Sequence, residues 1–328
     1  FKIDNPYQNK SWTDIFYGKN NNLKNFKYDN LNKVFLKSKK LSKYKSSDYI
    51  LFNDDNLIFS DERGNILIYS IRENTILKKF NFYKKKYKHI IKKLKISTEK
   101  NIIYVSDNIG YIYAYNYKTN KVIWAKNYKI PFRSNIKLQS NNIITSNQNN
   151  DLIIIEKDTG NLVKLIPSEE TTINNLFINN IASGKEELFF LNTYGSLYSI
   201  DNKTLKMNWF LNLNRSINLG LSDLFSGNEI VNHKDKIYIS SNESTYIIDS
   251  FNGKIISKQN FSSYIKPILY NNFYISVTKN NFLITMDSTN GELIYYINLN
   301  EKILNIFKEP DIKARNIFIA NNKIQVFL

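Results

Sequence analysis

Cysteine is absent from this sequence, which removes disulfides, cysteine-based zinc sites, iron–sulfur clusters, covalent haem attachment and a cysteine nucleophile together. Histidine is almost absent as well: His89, in YKKKYKHIIKKLK, and His233, in NHKDK, are the only two. Neither has a Gly-x-Ser-x-Gly partner or a His-x-x-x-His companion, so both read as surface-loop residues and not as parts of a triad or a metal pair. Walker A, Gly-x-Gly-x-x-Gly and Asp-Gly-rich calcium-loop patterns are missing too. No run of eighteen apolar residues occurs, so the chain as given carries no membrane-spanning helix. It also lacks an initiating Met and a signal peptide and reads as a mature or trimmed form. Alanine is scarce, which disfavours a helical exterior.

What is present points to strands. Of 328 residues, 42% are hydrophobic and 14% aromatic, dominated by Ile, Leu, Phe and Tyr, types that suit a pleated, half-buried surface. An all-β fold is the expectation. Lys and Arg outnumber Asp and Glu by 46 to 29, a net +17, a balance that attracts nucleic acid, anionic lipid or an acidic protein. Lys, Asn, Ile and Tyr are abundant together, as an AT-biased genome produces, so most of the excess reads as diffuse. The densest cluster runs from Lys84 through Lys85, Lys86 and Lys88 to Lys92, Lys93 and Lys95. Three readings stand for it: a solvated loop, an anionic surface, or, with Tyr83 and Tyr87 interleaved, nucleic acid. No nucleic-acid-binding module accompanies the charge, so nucleic acid is not expected as a partner.

Self-similarity organises the chain. Residues 54–82, DDNLIFSDERGNILIYSIRENTILKKFNF, share their grammar with 100–128, KNIIYVSDNIGYIYAYNYKTNKVIWAKNY, and with copies at 141–166, 185–214, 234–261 and 271–300. A shortened copy, ARNIFIANNKIQVFL, ends the chain. Each copy is an apolar run, a tight turn, an alternating run ending near Asp or Asn, a second turn and a third apolar run. The first turns fall at Gly64, Gly110, Asn150, Gly195, Glu243, Asn281 and Asn322, 46, 40, 45, 48, 38 and 41 residues apart. Gly and Asn supply the positive φ that such turns need, and the interval is that of a four-stranded propeller blade. The remaining strand of each blade is expected just before each copy, as in IIKKLKIS (90–97) and SNIKLQS (134–140).

The expected fold is therefore a β-propeller of seven blades, or eight if the first thirty residues contribute more than a tail. The last blade lacks an outer strand, which NKVFLKSKKLS (32–42) is expected to supply, closing the ring. Residues 1–30 read as a linker or tail and 31–328 as one propeller domain. Trp124 and Trp209 occupy one blade position and read as packing wedges between neighbouring blades.

The blade signature, a Gly turn followed by AYNYKTNKVIW or SIDNKTLKMNW, then DSFNGKI and DSTNGEL, resembles the quinoprotein or PQQ-like repeat. Length, organisation and the stretch from Asn214 to Ile256, which carries Leu221-Ser222-Asp223 ahead of a blade, resemble the outer-membrane assembly factor BamB family. FKIDNPYQNKSW is similar to the linker that follows the lipid-bearing cysteine of such lipoproteins. The resemblance implies a non-enzymatic, cofactor-free scaffold on the periplasmic face of the bacterial outer membrane, held by lipid on an upstream Cys. Its implied partners are BamA-like POTRA domains and unfolded outer-membrane proteins, with the chain a monomer inside a hetero-complex. The implied contact residues are Asp223 and its apolar neighbours Leu221, Leu224 and Phe225. Asp223 is equally readable as a turn residue bonded to local backbone. The loop PSEETTINNLF (167–177) lacks the Leu and Arg pair that some members use.

Two rivals have separate requirements. A quinoprotein enzyme or a hydrolase needs carboxylates converging on the inner strands, where this sequence is mostly apolar, Ser or Asn. A WD40-type interaction propeller carries Gly-His and Trp-Asp signatures, which are missing.

Overall fold

Runs of Ile, Leu, Phe and Tyr bounded by Asp, Asn and Gly become strands and tight turns throughout. The computed structural model describes residues 5–8, 11–28, 37–170, 178–214, 225–241, 243–263, 265–307 and 312–328. They fall into two compact units, one of residues 9–18 and 30–173, the other of 1–8, 19–29 and 174–328.

The first unit holds three four-stranded antiparallel meanders in chain order. They are β1 Ser46–Asn53, β2 Asn56–Asp61, β3 Asn65–Ser70 and β4 Thr75–Asn81; β5 Lys95–Glu99, β6 Ile102–Ser106, β7 Tyr111–Asn116 and β8 Lys121–Asn127; and β9 Lys137–Gln139, β10 Asn142–Ser146, β11 Leu152–Glu156 and β12 Leu162–Ile166. The second unit holds three more: β13 Asn180–Ser183, β14 Glu187–Leu191, β15 Ser196–Asp201 and β16 Met207–Asn212; β17 Val231–His233, β18 Lys236–Ser240, β19 Thr245–Asp249 and β20 Ile255–Gln259; and β21 Ile268–Tyr270, β22 Phe273–Val277, β23 Phe282–Asp287 and β24 Leu293–Asn298. A helix, α1 (Leu299–Phe307), precedes a two-stranded seventh sheet, β25 Asn316–Ala320 and β26 Lys323–Phe327. Seven sheets at blade-length intervals make the protein an all-β propeller.

Burial grades along each meander. The third strands are covered on both faces, as in β3, which is why their apolar residues run consecutively instead of alternating. The fourth strands are mostly exposed, as in β4. In all six full sheets the register slips once between the third and fourth strands, for instance between Ala114 and Tyr115 and between Ser199 and Ile200. A bulge of this kind increases the local twist of the last strand.

Both turns of the repeat are built by Asp and Asn. At the first turn, Asp107 Oδ1 accepts the amides of Ile109, Gly110 and Tyr111, each at 2.8 Å, and Asn192 Oδ1 accepts those of Tyr194 (2.9 Å) and Ser196 (3.0 Å). At the second turn, Asp201 Oδ1 accepts from Lys203 (3.0 Å) and Thr204 (2.6 Å). These Asx turns replace backbone pairing with a local side-chain acceptor. The second turn also seats the tryptophans. Trp124, on β8, donates from Nε1 to Lys157 O at 2.7 Å, and its ring lies where a Cβ on Gly160 would come within 2.4 Å. Trp209, on β16, repeats the arrangement on Ser250 O (2.9 Å) and Gly253. Each tryptophan is thus the wedge against the next sheet that the sequence suggested.

The N-terminal residues add bonds at the first strands of the sheets. In the first unit, the Trp12 amide donates to Phe52 O (2.7 Å) on β1, and Thr13 O accepts the Thr98 amide (2.9 Å) on β5. Lys137 on β9, fully buried, pairs with Asp14 at 2.8 Å and donates to Gly18 O at 2.9 Å. Burial pushes the Lys137 ammonium pKa down while Asp14 pulls it back up. In the second unit, Lys19 O accepts the Ser183 amide (2.8 Å), and Asn20 O the Asn232 amide (3.0 Å). Asn22 both donates to Leu269 O (2.7 Å) and accepts its amide (3.0 Å). Phe26 bridges Ala320 in parallel, and its amide donates to Ile319 O at 3.2 Å. The N-terminal contribution to the seventh sheet therefore lies at the β25 edge. Of the segment expected on its other edge, residues 32–36 lie outside the described residues and 37–42 form no strand.

Candidate partner-binding loop

The connection from β16 to β17 starts and ends on one turn. Leu213 donates its amide to Gly195 O at 2.9 Å, and Phe225 donates its amide to Thr193 O at 3.1 Å. Asn214 is fixed in turn by its amide bond to Asn212 Oδ1, 2.8 Å. The two ends of the segment 215–224 are thus stapled to the β14–β15 turn, which the Asn192 Asx bonds hold.

Packing reinforces the staple. Phe225 is buried and joins Leu197, Ile230, Ile239 and Tyr246 in one apolar cluster, with Leu211 and Leu213 packed against it. Gly195 has φ +79°, and a Cβ there would meet Phe225 Cδ2 at 2.7 Å, so only glycine allows both the turn and the ring packed against it. Gly227 makes a similar allowance, since its Cβ would come within 2.4 Å of Ser240 O. Asn228 follows, exchanging bonds with Ser240 at 3.0 and 2.9 Å and donating to Ile265 O at 3.0 Å.

Leu221, Asp223 and Leu224 lie outside the described residues, and Phe225 is the one sequence-selected residue of the four that the structure describes. It is a buried member of the apolar cluster. In the earlier loop at 167–177, Ser168 Oγ donates to Asn150 O (2.8 Å) and Asn150 Nδ2 to Glu169 O (2.9 Å); residues 171–177 lie outside the described set. His89 is exposed. His233 is not in a loop: it ends β17, half-buried, with Nε2 3.2 Å from Asn271 O, and burial lowers its pKa. Among the described residues no three His, Asp or Glu side chains gather as a metal ligand set. Thr193, Gly195 and Asn228 had no functional signal in the sequence beyond the repeat itself.

A family model described as outer membrane protein assembly factor BamB matches residues 48–295. No curated protein matches by sequence. Among solved structures, BamB from Moraxella catarrhalis superposes with a TM-score of 0.62 at 13% identity, over 74% of this chain and 73% of that one. The Cps50 (Swd1) β-propeller domain from Myceliophteria thermophila gives 0.54 at 12% identity, over 87% of this chain and 93% of that domain. The quinohemoprotein alcohol dehydrogenase of Comamonas testosteroni gives 0.50 at 15% identity, over 62% of this chain and 42% of the enzyme. At these identities the three structures speak for the propeller fold.

Proposed function

Because the chain belongs to the family of outer membrane protein assembly factor BamB, we propose that it is a non-enzymatic scaffold subunit of an outer-membrane β-barrel assembly complex. In this reading it works at the periplasmic face of the outer membrane as a lipoprotein and presents the 213–225 loop to BamA-like POTRA domains. The observation that carries the reading is the loop's base, where Leu213 and Phe225 are both bonded to one Asx-locked turn. A loop with a fixed base loses less conformational freedom on binding than a free one, so more of its contact energy appears as affinity. Asp223 supplies the charge, Leu221 and Leu224 supply apolar contact, and the buried Phe225 fixes the chain directly after them. Unfolded outer-membrane chains are a second class of partner for the same scaffold.

The test is a calorimetric titration of the chain against the POTRA domains of the same organism's BamA, with Asp223→Arg beside the wild type. Saturable binding that the substitution weakens about tenfold, roughly 1.4 kcal/mol, supports the assignment. Absence of binding by folded wild type at low and moderate salt overturns it.

A further inference from the structure

The scaffold role leaves unused the basic run between the first two sheets. Here the chain makes a short 3-10 turn at Lys85–Tyr87, with the amides of Tyr87 and Lys88 donating to Lys84 O and Lys85 O, both at 3.0 Å. Beside this turn is a recess of about 320 Å³ lined by Arg63, Lys84, Lys85, Lys88 and Lys92, together with uncharged Tyr and Asn side chains. Arg63, more than twenty residues upstream, joins the cluster through the fold alone. No carboxylate lines the recess.

Two of the cations are held in place. Arg63 donates from Nη1 to Lys88 O at 2.5 Å and stands over the Tyr44 ring at 5.3 Å. Lys92 donates from Nζ to Tyr87 O and stands over the Tyr83 ring at 5.3 Å. Lys84, Lys85 and Lys88 are exposed around them. The nearby carboxylates are already saturated. Asp61 accepts from the amides of Arg63 (3.0 Å) and Asn65 (3.1 Å), from Ser42 Oγ (2.7 Å), and from Asn65 Nδ2 at 2.9 and 2.8 Å. Asp107 accepts Tyr83 OH at 2.5 Å in addition to three turn amides. Among the described residues, no Asp or Glu forms an ion pair with any of the five cations.

Lys92 is only 4% exposed. Burial, then the Arg63 charge, lowers its pKa, while Asp107 and Asp61 oppose the shift. Asp61 and Asp107 offset part of the cost of a buried ammonium beside a guanidinium, and a bound anion offsets more of it. Five converging cations match the several acceptor oxygens of a phosphate. Arg63 stands over one face of Tyr44 and Lys92 over one face of Tyr83, which takes those faces from stacking bases and leaves the cations as the main lining of the recess.

We infer that the recess formed by Arg63, Lys84, Lys85, Lys88 and Lys92 binds a phosphate group, carried by free phosphate or by an anionic lipid headgroup. The inference does not depend on the scaffold reading, and the POTRA titration does not depend on these residues.

The full chain is titrated calorimetrically with inorganic phosphate, and separately floated with phosphatidylcholine vesicles with and without phosphatidylglycerol. Lys84→Ala/Lys88→Ala removes two exposed charges of the recess, and Lys121→Ala/Lys254→Ala removes two exposed charges elsewhere. The expected result is saturable binding that the first pair weakens at least tenfold and the second leaves within twofold. If vesicle flotation follows this pattern and phosphate competes with it, the source is lipid; if phosphate alone binds, it is a free solute. The inference is overturned if neither ligand binds saturably. It is overturned equally if both lysine pairs act alike, which means diffuse charge, or if a single-stranded oligonucleotide binds more tightly than either ligand with the same dependence on Lys84 and Lys88.

Discussion

The connections after β4 and after β16 fill the same slot of the repeat, each leaving a fourth strand and leading to the first strand of the next sheet. Each sets an aromatic ring against the glycine of the preceding first turn: Tyr83 on Gly64 and Phe225 on Gly195. What surrounds the ring differs. Phe225 is sealed in an apolar cluster and bonds only through its backbone. Tyr83 keeps a hydroxyl, which it gives to Asp107, and carries Lys92 on its face. The repeat supplies the seat, and the side chain placed in it differs: Phe225 closes an apolar cluster, whereas Tyr83 brings a hydroxyl and a cation.

Replacing the rings themselves breaks the comparison most strongly. Phe225→Ala removes a sealed ring and is expected to cost about 3–5 kcal/mol by urea unfolding. Gly195→Ala adds a left-handed strain of about 1–2 kcal/mol to an overpacking cost of about 1–3 kcal/mol against the buried ring. Gly64→Ala carries the same strain but meets the half-buried Tyr83 instead of a fully buried ring, so its midpoint is expected to fall less than that of Gly195→Ala; equal losses would mean the two seats are equivalent. Smaller still is Tyr83→Phe, which leaves an Asp107 oxygen without its donor and is expected to cost about 1–3 kcal/mol.

The smallest effect is a pH dependence confined to the cationic seat. The folded-state pKa of Lys92 lies below its ordinary value of 10.5. Between the two values the unfolded chain binds more protons than the folded one, so stability rises with pH across that window. The wild type should therefore gain stability relative to Lys92→Met as pH climbs toward 10.5, measured as the difference between two urea series. A flat difference removes the buried-charge argument.

Much of this was legible in the sequence because the repeat writes its turns in residues with local chemistry. Asp107, Asn192 and Asp201 accept amides two to four positions away, and Gly160 and Gly253 clear space for Trp124 and Trp209, so spacing alone located sheets, turns and wedges. Phe225 was legible only as an apolar neighbour of Asp223. Its burial is decided by the missing Cβ of Gly195, thirty residues earlier. The recess was hidden for the same reason, since Arg63 and Tyr44 reach the lysines through the fold and not along the chain. The path of residues 12–28 left no trace in part because many of its bonds are backbone to backbone, such as Lys19 O with Ser183, and any residue can make those. Asn21, Asn22 and Asn25 bond to the sheets through their side chains, but in so Asn-rich a chain they carried no weight.

Tyr7 pairs with that fastened path: its amide donates to Asn25 O at 3.2 Å and its carbonyl accepts the Lys27 amide at 2.8 Å. Between those two residues the Phe26 amide donates to Ile319 O on β25. A pull on Tyr7 is therefore passed through residues 25–27 to the seventh sheet, a mechanical coupling made by a few backbone hydrogen bonds.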